Sequence, residues 1–222
     1  LGGQVFRVDI ANYPATGGGL VRRVSKLADL NTIDKVNGVR FYEPPSFAPT
    51  NDSINGIKVG LLSLGSGNKS FPMLTTAQDY TFMLFDWDVM SSDLYSRAIE
   101  IADPNTDLSK LVQLKDGITK STLSNVINQT ATTSTRKNGW YYALPSSTVT
   151  SPTTSTTSGA KALVRTTIVD YVLNTTVFDP TRNNDTCGAG IKGATTTYRI
   201  CLPYGACGTN SNTDIRTTYL GA

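Results

Sequence analysis

The feature that most constrains this chain is a succession of short apolar runs, each cut off by residues that favour turns. Gln4–Ile10 alternates, with Val5, Arg7 and Asp9 on one side and Phe6, Val8 and Ile10 on the other, so one apolar face is expected against a sheet neighbour. Further runs follow at Ile57–Leu64, Tyr80–Phe85, Gly139–Leu144, Ala162–Val172 and Thr195–Leu202. Between them stand Tyr13-Pro14 with Gly17–Gly19, Pro44-Pro45, Asn55-Gly56, Asn138-Gly139 and Asp179-Pro180. Many short strands with such punctuation predict an all-β fold, a sandwich or a propeller.

Two kinds of segment interrupt the pattern. Residues 103–136 form a polar insertion in which Leu123, Val126 and Ile127 recur at helical spacing behind Ser and Thr caps, predicting a short helix within Ser121–Asn128. Thr130–Thr135 and Ser146–Ser158 are almost purely Ser and Thr; flanking Gly139–Leu144 as they do, they read as surface loops rather than as a stalk or linker. No repeat of fixed period is visible, so periodicity alone does not call for a propeller.

Composition removes whole classes of chemistry. The chain has no histidine, which excludes Ser-His-Asp and Cys-His nucleophilic catalysis and the common zinc sites. Its 20 basic and 17 acidic residues are scattered, giving a formal net charge of +3 and no tract that advertises nucleic acid or acidic lipid. No window approaches the roughly 20 apolar residues of a membrane helix. The first residues, Leu1-Gly-Gly-Gln, do not resemble a signal peptide, and the chain reads as a soluble piece of something longer.

Several motifs invite ligands and have plainer readings. Gly65-Ser-Gly after an apolar run resembles the opening of a phosphate loop, but it lacks the rest of a GxGxxG signature and reads as a tight turn. Asp86, Asp88 and Asp93 offer carboxylates to calcium, as do Asn51-Asp52 with Asn55 and Asn183-Asn184-Asp185. The residue order of an EF-hand loop is missing from all three, and they read as solvated or capping turn groups. Asn-x-Ser/Thr triplets begin at Asn51, Asn68, Asn128, Asn174 and Asn184, as chance produces in a chain rich in Thr and Asn. Trp140, Tyr141 and Tyr142 do not make one stacking platform, because successive strand residues face opposite ways; packing is expected for them and for Phe41, Tyr42, Phe71 and Tyr80.

All three cysteines, Cys187, Cys201 and Cys207, lie in the Gly- and Thr-rich stretch 179–213, which suggests a local disulfide in an oxidising compartment. If Ala162–Val172 and Thr195–Leu202 pair as antiparallel neighbours, Cys187 and Cys201 stand at opposite ends, separated by roughly 20 Å at about 3.3 Å per residue. Cys201 and Cys207 are joined by Leu202-Pro-Tyr-Gly-Ala206, which can turn back on itself, and this pairing is the expected one. The alternative is a loop after Cys187 that curls along the sheet to bring it to Cys207.

Taken in order, Arg40-Phe-Tyr-Glu-Pro-Pro45, Gly65-Ser-Gly-Asn-Lys-Ser-Phe-Pro72, Asp79-Tyr-Thr-Phe82 with Asp86, and Gly139-Trp-Tyr-Tyr-Ala-Leu144 resemble the PilC/PilY type of type IV pilus tip-associated protein. The resemblance runs in patches from about Gly3 to Gly221. It implies that residues 1–222 are part of a C-terminal, modified, quinoprotein-like seven-bladed β-propeller with a short helical insertion. At roughly 40 residues per blade the chain would supply four to five blades with insertions. It implies a non-enzymatic pilus tip and assembly factor supporting pilus extension, adhesion, twitching motility and, in naturally competent bacteria, DNA uptake. The expected location is the bacterial cell surface, at the extracellular tip of the fimbrium, after export through the periplasm. Expected partners are minor pilins of the tip complex and the remainder of the same polypeptide, with host or abiotic surfaces touched by regions outside this chain. No catalytic, cofactor or metal residue is carried over, calcium being the one cation that the acidic turns could take. An exported quinoprotein-like enzyme domain and a secreted carbohydrate-binding β module are the rival readings.

Overall fold

The structure, a computed structural model, describes residues 2–10, 20–30, 39–52, 56–90, 108–127, 137–145, 149–151, 154–156, 159–181, 193–208 and 212–221. Fourteen strands and one α-helix occur among them. In chain order the strands are β1 (Gln4–Ile10), β2 (Val21–Asp29), β3 (Ser46–Asp52), β4 (Ile57–Gly65), β5 (Tyr80–Asp86), β6 (Val112–Gln113) and β7 (Gly139–Ala143). They continue as β8 (Val149–Ser151), β9 (Thr154–Thr156), β10 (Lys161–Ala162), β11 (Thr167–Val169), β12 (Val172–Asp179), β13 (Ala194–Cys201) and β14 (Ile215–Gly221).

Three sheets stack in chain order. The hairpin β1-β2 comes first, the sheet β3-β4-β5-β7-β6 second and the sheet β10-β12-β13-β14, with β11 also paired to β12, third. All these pairings are antiparallel except β6 with β7. The middle sheet is covered on both faces, and β5 shows it most clearly because every one of its residues is buried. Its even positions, Tyr80, Phe82 and Leu84, pack with Val5, Leu27 and Ala28 of the hairpin. Its odd positions, Met83 and Phe85, pack with Leu173 and Ile200 of the third sheet. The strand period of two therefore divides one run between two cores, and burial on both faces is why the run is continuously apolar.

The short helix α1 (Lys120–Val126) closes the second core. Thr119 caps it, its side chain accepting a hydrogen bond from the Thr122 N–H at 3.0 Å, while Leu123 and Ile127, four residues apart, are fully buried.

The sequence expectation fails in three places. Ala162–Val172 is not one strand: it breaks into β10, β11 and the start of β12, and it is β12 that pairs with β13, from Val172 opposite Cys201 to Asp179 opposite Ala194. The break is a two-residue turn in which Asp170 and Tyr171 take φ values of 48° and 56°, between the paired residues Val169 and Val172. Both central residues of such a turn need positive φ, which Gly or Asn normally signals. Second, Phe6, Val8 and Ile10 do not face the neighbouring sheet; they are exposed, and Val5, Arg7 and Asp9 point inward. Third, Phe71 is 64% exposed rather than packed. The all-β expectation holds, and no closed ring of blades is seen among the described residues.

Candidate functional site

Each end of β5 carries a buried carboxylate, and at each end the middle sheet is tied to a different neighbour. At the start of the strand, Ser66 Oγ donates to Asp79 Oδ1 at 2.7 Å and accepts from the Tyr80 N–H at 2.8 Å. The Ser66 N–H donates to the Tyr80 carbonyl at 2.8 Å, and the Ser66 carbonyl accepts from the N–H of Ala162 at 2.9 Å. The second bond reaches β10 of the third sheet. Approach is this close because Gly65 has no side chain: a Cβ there would stand 2.5 Å from that of Ala162.

Around this point the motif segments assemble. The Gly67 N–H donates to the Arg40 carbonyl at 3.1 Å, and that of Leu144 to the Asp79 carbonyl at 3.0 Å. Asn68 Oδ1 accepts from the Tyr42 hydroxyl at 3.2 Å and from the N–H groups of Ser70 and Phe71, which fixes the loop that displays Phe71. Lys69 pairs with Glu43. Lys161 is fully buried, its ammonium donating to the carbonyls of Leu74 and Gly159. Burial pushes the Lys161 ammonium below its usual pKa, against the pull of Asp79 and Asp179. Burial likewise raises Asp79, with Ser66 and Lys161 pulling the other way. Asp79 Oδ2 has no hydrogen-bond partner among the described residues, which suits a carboxyl that holds its proton readily.

At the other end of β5, Arg7 Nη1 lies 2.6 Å from both oxygens of Asp86. The same guanidinium reaches Asp9 through Nε at 2.9 Å, and Arg23 Nε donates to Asp9 at 2.8 Å. Asp86 also accepts from the N–H groups of Asp88 and Val89 at 3.1 and 3.0 Å. Burial is the largest influence on Asp86 and raises its pKa despite Arg7. Burial lowers that of Arg7, but Asp86 and Asp9 outweigh it and hold the guanidinium above its usual value. The inward Arg7 and Asp9 are thus the reason the hairpin turns its charged side to the middle sheet.

A third tie is the loop Cys201–Cys207, closed by a disulfide with Cα atoms 5.1 Å apart. Inside it Tyr204 is buried and stacks on Phe85, ring centroids 5.7 Å apart at 26°, and the Pro203 carbonyl accepts from Trp140 Nε1 at 2.8 Å. Tyr171 at the strained turn accepts from the Leu202 N–H at 2.7 Å. Between turn and loop lies an open groove of about 430 Å³ bordered by Asn51, Lys120, Asp170, Tyr171 and Pro203.

Of the residues singled out in the sequence, Trp140 and Tyr142 pack with the second core and Tyr141 with the first, as alternation requires. Burial, helped by Tyr198 and Asp116, pushes the Tyr142 phenol up to about 12, so it is neutral across the physiological range. Asp86 and Asp88 are buried rather than solvated, and Asp86 is held by Arg7. Among the described residues no group of three or more acidic or cysteine side chains is arranged to hold a metal ion. Asn51 is exposed, Asn68 makes the turn described above, and Asn174 donates to the Val172 carbonyl. Asp93, Asn55, Asn183-Asn184-Asp185, Asn128, Cys187, Gly17–Gly19, Thr130–Thr135 and most of Ser146–Ser158 lie outside the described residues. Arg7, Asp9, Ser66 and Lys161 went unremarked in the sequence as site residues. Charged residues alternating with Val5 in an otherwise apolar strand were the signal for the first two.

No family profile and no curated protein matches the sequence. In fold, all of the chain aligns with half of the crystal structure of the Pseudomonas aeruginosa PilY1 C-terminal domain, at a TM-score of 0.59 and 14% identity. The fold is PilY1-like. The chain spans about half the length of that PilY1 domain. Among the described residues no helix is long and apolar enough to cross a membrane.

Proposed function

We propose that this chain is part of a PilC/PilY-type C-terminal β-propeller that acts without catalysis in building type IV pili. Its three stacked sheets would be consecutive blades of a seven-bladed ring completed by sequence outside this chain. The observation that carries the reading is the PilY1-like fold over the whole chain at 14% identity, coinciding with PilC/PilY-like segments that meet around Ser66 and Asp79. Those segments serve packing between sheets, which fits a rigid scaffold that presents a surface to minor pilins at the tip. The protein would work outside the cell at the pilus tip, after crossing the periplasm, where the Cys201–Cys207 disulfide is at home. Support of pilus extension would make surface adhesion, twitching motility and, in competent hosts, DNA uptake its downstream effects. No metal or cofactor is assigned to it.

The test is deletion of the region encoding these residues in the native host, with sheared surface pili and total pilin quantified separately. Loss of surface pili with pilin synthesis intact is expected. Normal pili and normal twitching would overturn the proposal.

A further inference from the structure

The turn that joins β11 to β12 is strained without a return in packing. Asp170 and Tyr171 carry φ values of 48° and 56°, in the left-handed region where Gly, Asn or Asp sits readily and a bulky ring does not. Neither side chain is buried in exchange: Asp170 is exposed and Tyr171 is 55% exposed. The conformation is held from outside, because the Tyr171 carbonyl accepts from the Leu202 N–H at 2.7 Å and Leu202 belongs to the loop closed by Cys201 and Cys207. Strain that the surroundings hold in place gathers at ligand clamps.

The groove beside this turn, about 430 Å³, has the volume of a small-ligand site. Its rim brings together the Asp170-Tyr171 turn, Asn51 of β3, Lys120 of α1 and Pro203 of the disulfide loop. Among the described residues, the side chains of Asn51, Lys120, Asp170 and Tyr171 have no hydrogen-bond or ion-pair partner. The neighbouring main chain, by contrast, is engaged in the fold. The Tyr171 carbonyl holds Leu202, the Cys201 carbonyl accepts from the Gly205 N–H at 2.7 Å, and Val172 is paired with Cys201. Pro49, next to the groove on β3, has no N–H to offer. A peptide added as a strand would read main-chain groups, and here they are taken or missing, which leaves recognition to side chains.

One carboxylate and one ammonium leave the rim without net charge, which favours neither a polyanion nor a bare cation. An exposed ring beside a carboxylate, an amide and an ammonium suits a ligand that has an apolar C–H face and an edge of hydroxyls. A sugar ring is such a ligand. We infer that this groove binds a short saccharide, Tyr171 stacking on the face of one ring while Asp170 and Asn51 bond its hydroxyls. Lys120 donates to a further oxygen of the sugar. Because the turn is fixed before the ligand arrives, little ordering cost falls on binding. The inference goes beyond the scaffold role proposed above and does not depend on it.

The test applies the full gene product and the 222-residue chain to immobilised lactose, N-acetyllactosamine, chitobiose, maltotriose and sialyllactose, and measures any sugar retained by titration calorimetry. Expected is binding of at least one of them by both proteins. Tyr171→Gly removes the ring and installs the Asp-Gly pair that such a turn prefers. It should weaken that sugar about tenfold while melting no lower than the parent. Tyr171→Phe should bind as the parent does. Asn51→Ala, at an exposed strand position, should weaken binding about threefold with stability unchanged. Failure to retain any of the five sugars would overturn the inference, as would parental affinity in Tyr171→Gly. A lower melting temperature of Tyr171→Gly would remove the strain on which the inference stands, and so overturn it as well. Binding by the chain but not by the full product would mean that the rest of the polypeptide covers the groove, and retention of a displayed peptide through Tyr171 with all sugars ignored would decide for a peptide; both overturn the saccharide site. Piliation after deletion reads the scaffold role alone, so the two proposals fail separately.

Discussion

Replacing Arg7 by methionine gives the sharpest test of the tie between the hairpin and the middle sheet. The two side chains are 9% and 2% exposed, and the guanidinium lies 2.6 Å from both carboxylate oxygens, so the pair is buried and well aligned. Methionine fills much of the space and removes the charge. Asp9 keeps Arg23 and Asp86 keeps the N–H groups of Asp88 and Val89, so the damage falls on one carboxylate stripped of its counter-ion. Breaking a buried pair on one side costs about 3–5 kcal/mol. Arg7→Met should lower unfolding stability by about that amount at pH 7, read from urea denaturation of the chain. Asp86 already sits above its ordinary value near 3.8 because it is buried, and losing Arg7 raises it further. A carboxyl whose folded pKa exceeds its unfolded one favours the folded state most below the unfolded pKa, and that advantage is lost as pH rises through the folded pKa. The deficit of Arg7→Met should therefore shrink as the pH falls from 7 toward 4. The double variant Arg7→Met/Asp86→Asn should recover most of the loss, since an amide oxygen can still accept the two N–H groups. A single variant within about 0.5 kcal/mol of the parent, or a double variant no better than Arg7→Met, would refute the reasoning.

Other parts of the structure yield comparable tests. Replacing Cys201 and Cys207 together by serine opens a loop with a sequence separation of 6, and loop-closure entropy puts the loss at about 2 kcal/mol; denaturation midpoints that match the oxidised parent would count against it. Gly65→Val would force the middle and third sheets apart at Ala162, with an expected loss of about 1–3 kcal/mol, checked by thermal unfolding; an unchanged midpoint would mean that the close approach is not required. Burial raises Asp79, so its favourable contribution is complete below its ordinary pKa and declines as the pH rises through its folded value. Asp79→Asn keeps an acceptor for Ser66 without that titration, and its stability should fall less than the parent's between pH 4 and pH 7; parallel pH profiles would dismiss the assignment.

The strands that could be read from sequence are those whose neighbours are apolar on at least one side. Gln4–Ile10 has the observed limits of β1, and Tyr80–Phe85 and Thr195–Leu202 fall within a residue of β5 and β13. The missed strands share a different property, namely that their pairing is specified by partners distant in sequence. β2 carries Arg23 and Ser25 inward to serve the charged network, which erases its alternation. β3 contains Pro49, tolerable because among the described residues β3 is an edge strand paired with β4 alone. At Asp170-Tyr171 the chain reverses without the Gly or Asn that would announce the turn, held by Leu202 of the disulfide loop. Which face of β1 is buried was equally beyond reach, because hydrophobicity favours one answer and Arg7 decides for the other.

The same contrast bears on how a PilY1-like fold can be held at 14% identity. An apolar position such as Leu61 or Ile200 asks only for volume and hydrophobicity, and many residues supply both. Gly65 cannot be exchanged that way, because any Cβ collides with Ala162. Ser66 and Asp79 are bound by a different constraint: a buried hydroxyl and a buried carboxyl must satisfy each other and the N–H of Tyr80, and few other pairs of that size do so. The motifs therefore record where two sheets touch through backbone and polar groups, and the resemblance they carry is first a resemblance of architecture. Phe71 stands apart, since it belongs to such a motif yet lies 64% exposed on a loop that Asn68 holds in place. Packing within the chain accounts for the residues around it but not for its own ring.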